Sequence, residues 1–495
     1  MVFTSVEFMF LLLPLTIILY LIAANIRVKN LVLLSMSIVF YSWGEPRTVF
    51  LVIISTIVNW LFGLAFAHGG AKSGAKTKIA PNSKELPSGK RMRNRIILIA
   101  AVVYNIGLLG IFKYFNFTLD NLNRILSIFS ASVIQYTPIL LPIGISFYIF
   151  QILSYVIDVY RGDAEVQKNP FDLGLYITMF PQLVAGPIVR YTTIAKEMKN
   201  RHTSIQDFKN GVCRFMIGFC KKLLISNNVA VLANIAFETE NPPFLLAWLG
   251  IIAYTLQLYF DFSAYSDMAI GMGEMFGFHF LENFNYPYIS GSIKEFWRRW
   301  HISLSSWFRD YLYIPLGGNR KGKGRTYINL IIVFFITGLW HGASWNFVVW
   351  GLFHGVFLIL ERSPFGVWME KRNVLLRHLY TLLVVIVGWV FFRAENLPAA
   401  FAYLGRMFSN PAADAQFALS FLNREMIFFF VAGILFTMPV YPLLKKKIDT
   451  LGKKSLTAGS LAITGTHDLI VFACFVIAAL YMIGSDFSPF IYYRF

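Results

Sequence analysis

The apolar residues of this chain come in long blocks. The stretch 48–67 carries no Asp, Glu, Lys or Arg, and neither does 343–360. Inside a bilayer no water reaches backbone N–H and C=O groups, so a crossing segment must be helical or part of a closed barrel. Barrel strands alternate apolar and polar side chains, and these blocks do not. Their lengths approach the ~20 residues that a helix needs to cross ~30 Å of hydrocarbon. The chain as a whole is 57% hydrophobic and 14% charged, whereas soluble domains carry about 25% charged residues. The prediction is an all-α polytopic membrane protein in a single membrane-embedded domain, 1–495.

Candidate spans are 4–24, 31–42, 48–67, 96–115, 138–158, 208–235, 245–272, 327–340, 343–360, 378–394, 426–444 and 467–485. Span 31–42 is short enough to be re-entrant. Segment 174–189, interrupted by Pro181, Gly186 and Pro187, reads as a half-helix buried in protein. Met1–Ala23 lacks a basic leader and a small-residue cleavage site, so it reads as a retained first span. The net charge of +18 does not point to nucleic acid, because Lys and Arg gather in the loops between spans. The loop 68–95 holds Lys72, Lys76, Lys78, Lys84, Lys90, Arg91, Arg93 and Arg95. Alternate crossings place 161–209, 294–325, 362–377 and 445–454 on the same side, and all are basic. The positive-inside rule makes that side cytoplasmic. The 49 Phe and 24 Tyr suit lipid contact and interfacial belts. Cys213, Cys220 and Cys474 show no metal spacing and no disulfide framework; the first two read as small residues on one helix face. No internal repeat is evident, which counts against a transporter built from inverted halves.

Against this background His341 stands out. It lies in Trp340-His341-Gly342, between the apolar segments 328–339 and 343–360. From the start of span 327–340, a rise of 1.5 Å per residue carries the chain roughly 21 Å into a core of about 30 Å. An ionisable ring at that depth is a functional candidate by default. A structural histidine bonded to backbone carbonyls at a helix junction is the alternative. The second constellation is Lys294–Arg320, within a core region 277–360. At helical spacing Trp297, His301, Leu304, Phe308 and Tyr311 form one stripe. This predicts either an aromatic-anchored interfacial helix or a wall that points His301 into a tunnel leading to His341. In the second case Arg298, Arg299 and Arg309 rim a cytoplasmic mouth that suits phosphates, with Trp300 and Ser305 as further donor-binding candidates. Gly317–Arg320 reads as a turn before the next span. Asp261 and Asp267 are intramembrane carboxylates or polar residues near a span's inner end. His354 reads as a packed helix residue, and His68, His202, His279, His378 and His467 stand without a constellation. There is no Gly-x-Ser-x-Gly elbow and no His-Glu-x-x-His zinc motif, and no metal is expected. On these residues alone, a transporter or flippase with a histidine proton relay stands level with an enzyme.

The chain resembles the membrane-bound O-acyltransferase family, in its bacterial alginate and peptidoglycan O-acetylation branch. The likeness rests on Phe40-Tyr-Ser-Trp-Gly-Glu-Pro46, Pro142-Ile-Gly-Ile-Ser-Phe-Tyr-Ile-Phe-Gln151, Gln182-Leu-Val-Ala-Gly-Pro187 and Tyr259-Phe-Asp-Phe-Ser263. It continues in Phe296-Trp-Arg-Arg-Trp-His-Ile-Ser-Leu-Ser305, Leu339-Trp-His-Gly342 and the C-terminal Pro489–Phe495. The resemblance implies a ring of about 11–12 transmembrane helices, with re-entrant and interfacial helices, around a central funnel. It makes His341 the catalytic histidine and His301 the second polar residue of the pair. It implies no bound cofactor, and an acyl group passing from a cytoplasmic thioester, acetyl-coenzyme A, to a hydroxyl beyond the membrane. His341 is then the general base or a transient acyl carrier, and His301 orients the thioester or protonates the leaving thiolate. The implied partners are bacterial membrane lipids, the acyl-coenzyme A donor and an exported SGNH-hydrolase-like acetyltransferase. D-alanyl transfer to teichoic acid and a lipid acceptor are the other readings within the family. Localisation in the inner (plasma) membrane follows from the same resemblance.

Overall fold

The computed structural model describes residues 1–67, 80–83, 86–130, 132–184, 186–410, 415–452, 458–484 and 490–491. Among the described residues every regular element is a helix. Six of them are long and apolar enough to cross a membrane: Val49–Ala67, Ser88–Ile128, Ile205–Glu238, Phe244–Met275, Val374–Arg393 and Gly465–Gly484. The pair Trp345–Leu360 and Pro364–Glu370, bent by 75°, makes a seventh if it counts as one span. The protein is therefore an all-helical, multi-pass membrane protein.

Several expected boundaries move, each for a local reason. The basic loop 68–95 lies largely outside the described residues, and its last part is not loop. A helix starts at Ser88 and carries Lys90, Arg91, Arg93 and Arg95, which are good helix formers and follow Gly89 in the first turn. Span 31–42 extends to Ile26–Gly44, started by the Asn25 side chain accepting from Val28 N. The expected span 426–444 is two helices, Arg424–Phe436 and Val440–Gly452, divided at Pro439, which cannot continue the ladder. Span 138–158 begins late, at Ile145, behind a left-handed Gly144 (φ 72°). A Cβ there would lie 2.8 Å from the Leu183 carbonyl oxygen, so only glycine lets that buried segment approach. Segment 174–189 forms two short buried helices, Pro170–Thr178 and Phe180–Leu183.

The chain divides into two compact units. One comprises Met1–Gly211 with Ala269–Leu281; the other comprises Val212–Met268 with Glu282–Ile491. The first is centred on the Ile145–Arg161 helix, which is buried along nearly its whole length. Within it, Tyr176 donates to the Val189 carbonyl (3.0 Å), and Lys113 donates to Ser146 Oγ (2.9 Å).

The second unit holds both candidate histidines. Its centre is a hairpin of Gly322–His341 and Trp345–Leu360. Small residues let membrane helices approach closely, and here a Cβ at Gly351 would overlap the Phe334 carbonyl oxygen. A second device ties the hairpin to the His301 segment. Glu361, just past the hairpin, accepts from Ile293 N (2.5 Å) and Lys294 N (2.9 Å). Those N–H groups open the helix Ile293–Arg299 and have no partner within it. Deeper in the unit, Lys222 and Asp261 form a buried ion pair at 2.5 Å. Asp261 also accepts from Ile491 N at 2.7 Å, which anchors the described end of the chain.

Two outcomes follow from this packing. Gly351→Leu destabilises the detergent-solubilised protein by about 1–3 kcal/mol, read as a lower thermal midpoint. Gly405→Ala, where an added Cβ meets nothing within 4 Å, leaves the midpoint in place. Glu361→Ala removes the shared cap at a cost of about 0.5–2 kcal/mol. Hydrogen exchange at residues 293–299 rises in that variant, and unchanged protection there refutes the strut.

Candidate active site

The sequence stripe Trp297–Tyr311 predicts one helix, and the structure breaks it in two. Ile293–Arg299 ends at Trp300, and Ile302–Phe308 begins after His301. His301 itself is left-handed, with φ 43° and ψ 57°. Non-glycine residues seldom adopt that conformation, and those that do cluster at functional sites. The cause lies at a distant stretch of chain, Glu282–Asn285. Asn283 O accepts from Ile302 N and Asn285 N donates to Arg299 O, both at 2.9 Å. Asn283 Oδ1 lies 3.1 Å from His301 Nδ1 and accepts from Ser303 N (3.2 Å) and Ser303 Oγ (2.9 Å). The preceding Glu282 is held by Arg214, which also grips Asp267 at 3.0 Å; Lys221 reaches the same carboxylate at 2.6 Å. The stripe is buried in the protein at Trp297, His301, Leu304 and Phe308.

His301 is 1% exposed. Its ring meets Phe262 edge-to-face at 4.5 Å, with Trp340 at 6.2 Å. The segment lies outside the spanning helices, and burial pushes this imidazole down to about 3, so the ring is neutral at physiological pH. Its Nε2 is buried and makes no hydrogen bond.

His341 is the last residue of its helix, with Gly342 extended after it and Ser344 capping the next. It is 2% exposed. Its ring packs against Trp340 and Trp350, each at 4.9 Å, and Phe392 at 5.2 Å. The Trp340 indole is thus a neighbour of both histidines. The structure brings together in one aromatic pocket two residues forty positions apart in sequence.

The remaining candidates separate. Trp300 is 1% exposed, stacked on Phe296 and packed against Trp389; it is a core residue of the pocket wall. Ser305 Oγ turns back to Trp300 O. Arg299 is engaged by Glu295 and the Asn285 carbonyl, and Arg309 by its neighbour Asp310. Arg298 is exposed. Asp261 and Asp267 are both committed to cations. His354 is packed, as expected, but its cage of Trp297, Trp350, Phe353 and Trp389 leaves both ring nitrogens without a hydrogen bond. His467 does have company: its ring, Cys213 and Asp468 offer atoms within 4.8 Å of one another. His68 lies outside the described residues. Sequence reasoning missed Asn283, and its one available signal is position: an asparagine beside two aromatic-rich turns, upstream of the histidine it contacts.

Comparison with known proteins gives the family. The family model for membrane-bound O-acyltransferases matches residues 166–397, which include Asn283, His301 and His341. A probable alginate O-acetylase of Pseudomonas putida is 41% identical over 508 residues, covering 100% of both chains. The peptidoglycan O-acetyltransferase of Helicobacter pylori is 33% identical over 89% of this chain and 87% of its own. A teichoic acid D-alanyltransferase of Bacillus subtilis is 31% identical over 50% of this chain and 65% of its own. The full-length likeness, with the paired buried histidines inside the matched region, makes this chain an enzyme of the membrane-bound O-acyltransferase family.

Proposed function

We propose that the chain is an O-acetyltransferase of the bacterial inner membrane. It takes acetyl from cytoplasmic acetyl-coenzyme A and delivers it to a hydroxyl on an exported, SGNH-hydrolase-like partner that modifies an alginate-like polysaccharide. The observation that carries the reading is the pair of buried imidazoles that share Trp340 as a neighbour. The likeness to the alginate O-acetylase extends over the whole chain, whereas that to the D-alanyltransferase covers half of it; this favours acetyl over D-alanyl. The basic loops suit a polyanionic nucleotide donor on the cytoplasmic side.

In this mechanism His341 accepts the proton of the acceptor hydroxyl. The oxygen attacks the thioester carbonyl, a C–O bond forms and the C–S bond breaks. The proton then passes from His341 to the leaving sulfur. His301, neutral and fixed, orients the donor by accepting at Nε2 from one of its amide N–H groups. The aromatic walls exclude water, so the thioester is not hydrolysed on the way.

His341→Ala inserts normally and loses acetylation of the exported product by about 10²–10⁴-fold. Membranes given labelled acetyl-coenzyme A release free coenzyme A in step with acceptor acetylation in the wild type, and neither in the variant. Undiminished acetylation in His341→Ala rules out the assignment, and acetyl passage without coenzyme A release points to a carrier.

A further inference from the structure

We infer that Asn283 is a positioning residue of the acyl-transfer site, holding His301 as the tautomer with hydrogen on Nδ1 and the lone pair on Nε2; this rests on the function proposed above.

The amide can be oriented from its neighbours. Ser303 N is an obligatory donor, so the Asn283 atom 3.2 Å from it must be the oxygen. A flipped amide would set two N–H donors against each other. Ser303 Oγ reaches the same oxygen at 2.9 Å. An amide oxygen only accepts, so His301 Nδ1, 3.1 Å from it, must carry the hydrogen; a bare Nδ1 would face another lone pair. Neutral imidazole has one N–H, which leaves Nε2 as an acceptor. That nitrogen is buried and makes no hydrogen bond. The residue that orients a histidine's far nitrogen decides what its near nitrogen can do. His301 in this state accepts a hydrogen bond, from a thiol or an amide N–H of the donor, and cannot donate one to a thiolate until it has first taken a proton. Phe262, Phe284 and Trp340 face the ring from the surrounding elements. Asp261, beside Phe262, is taken up by Lys222.

The test has two arms on the full-length protein in bilayers. Nitrogen NMR of ¹⁵N-histidine-labelled protein reads the tautomer directly, with the His301 signal assigned by its loss in His301→Gln. The expected result is protonated Nδ1 and bare Nε2, with the preference lost in Asn283→Ala. A protonated Nε2 in the wild type overturns the inference whatever the enzyme's substrate proves to be. In the second arm, with acetyl-coenzyme A as donor, Asn283→Ala lowers kcat about 10- to 100-fold while the donor KM stays within about two-fold. The isosteric Asn283→Asp keeps the acceptor but places a carboxylate behind the ring, and its kcat profile gains an acid limb at higher pH than the wild type. Equal losses in both variants with an unmoved pH profile reduce Asn283 to a structural role. Inactivity of the wild type toward acetyl-coenzyme A speaks against the donor assignment and leaves the NMR arm decisive.

Discussion

One amide oxygen organises the site. Asn283 Oδ1 takes Ser303 N, Ser303 Oγ and the His301 ring, while its backbone carbonyl takes Ile302 N. A non-glycine residue in a left-handed conformation costs about 1–3 kcal/mol. Each of these hydrogen bonds contributes about 1 kcal/mol net, so together they offset the strain at His301. Without Asn283 the sequence Phe296–Ser305 would have no reason to break, and one continuous helix would carry the imidazole elsewhere. The site geometry is thus a competition between helix propagation and a long-range cap, which the cap wins.

Around this contact the unit is rigid by composition. Trp297, Trp350, Trp389 and Trp300 pack in succession, edge-to-face, stacked and tilted, and Trp340 joins them through His341. Such rings bury large areas with few rotatable bonds, so the imidazoles among them have little freedom. The polar struts sit at the margin of this mass. Glu361 joins the His341 hairpin to the helix before His301, and Arg214 holds Glu282 beside Asn283. Each strut ties together segments distant in sequence that the aromatic core alone would let slide.

What could be read in the sequence follows from what is local. Apolar blocks without charge give membrane helices wherever water is excluded, so the fold class was legible, and six of the twelve expected spans fall on helices long and apolar enough to cross. His341 was legible because an ionisable side chain between two apolar blocks is conspicuous at any register. The kink at His301 was not. Its own residues favour a helix, and the periodic stripe through Trp297, Leu304 and Phe308 is genuine as a burial pattern even though the backbone breaks within it. The pairing of the arginines was not legible either. Arg299 and Arg309, read as a phosphate-binding rim, have Glu295 and Asp310 as immediate partners. Charge counting sees residues, whereas pairing depends on geometry that only folding supplies.

Three histidines are buried in this unit, and helix position separates them. His354 lies within Trp345–Leu360, where the helix's own N–H and C=O groups are paired and offer the ring nothing. His341 closes its helix, beside carbonyls left without intrahelical partners at the negative pole of the dipole. His301 sits instead just before the N-terminus of Ile302–Phe308, at the positive pole of the dipole, with Asn283 Oδ1 3.1 Å from its Nδ1. The two rings that share Trp340 thus sit at opposite ends of their helices, His341 at a C-terminus and His301 before an N-terminus, and the roles proposed for them, proton acceptance and donor orientation, follow that division.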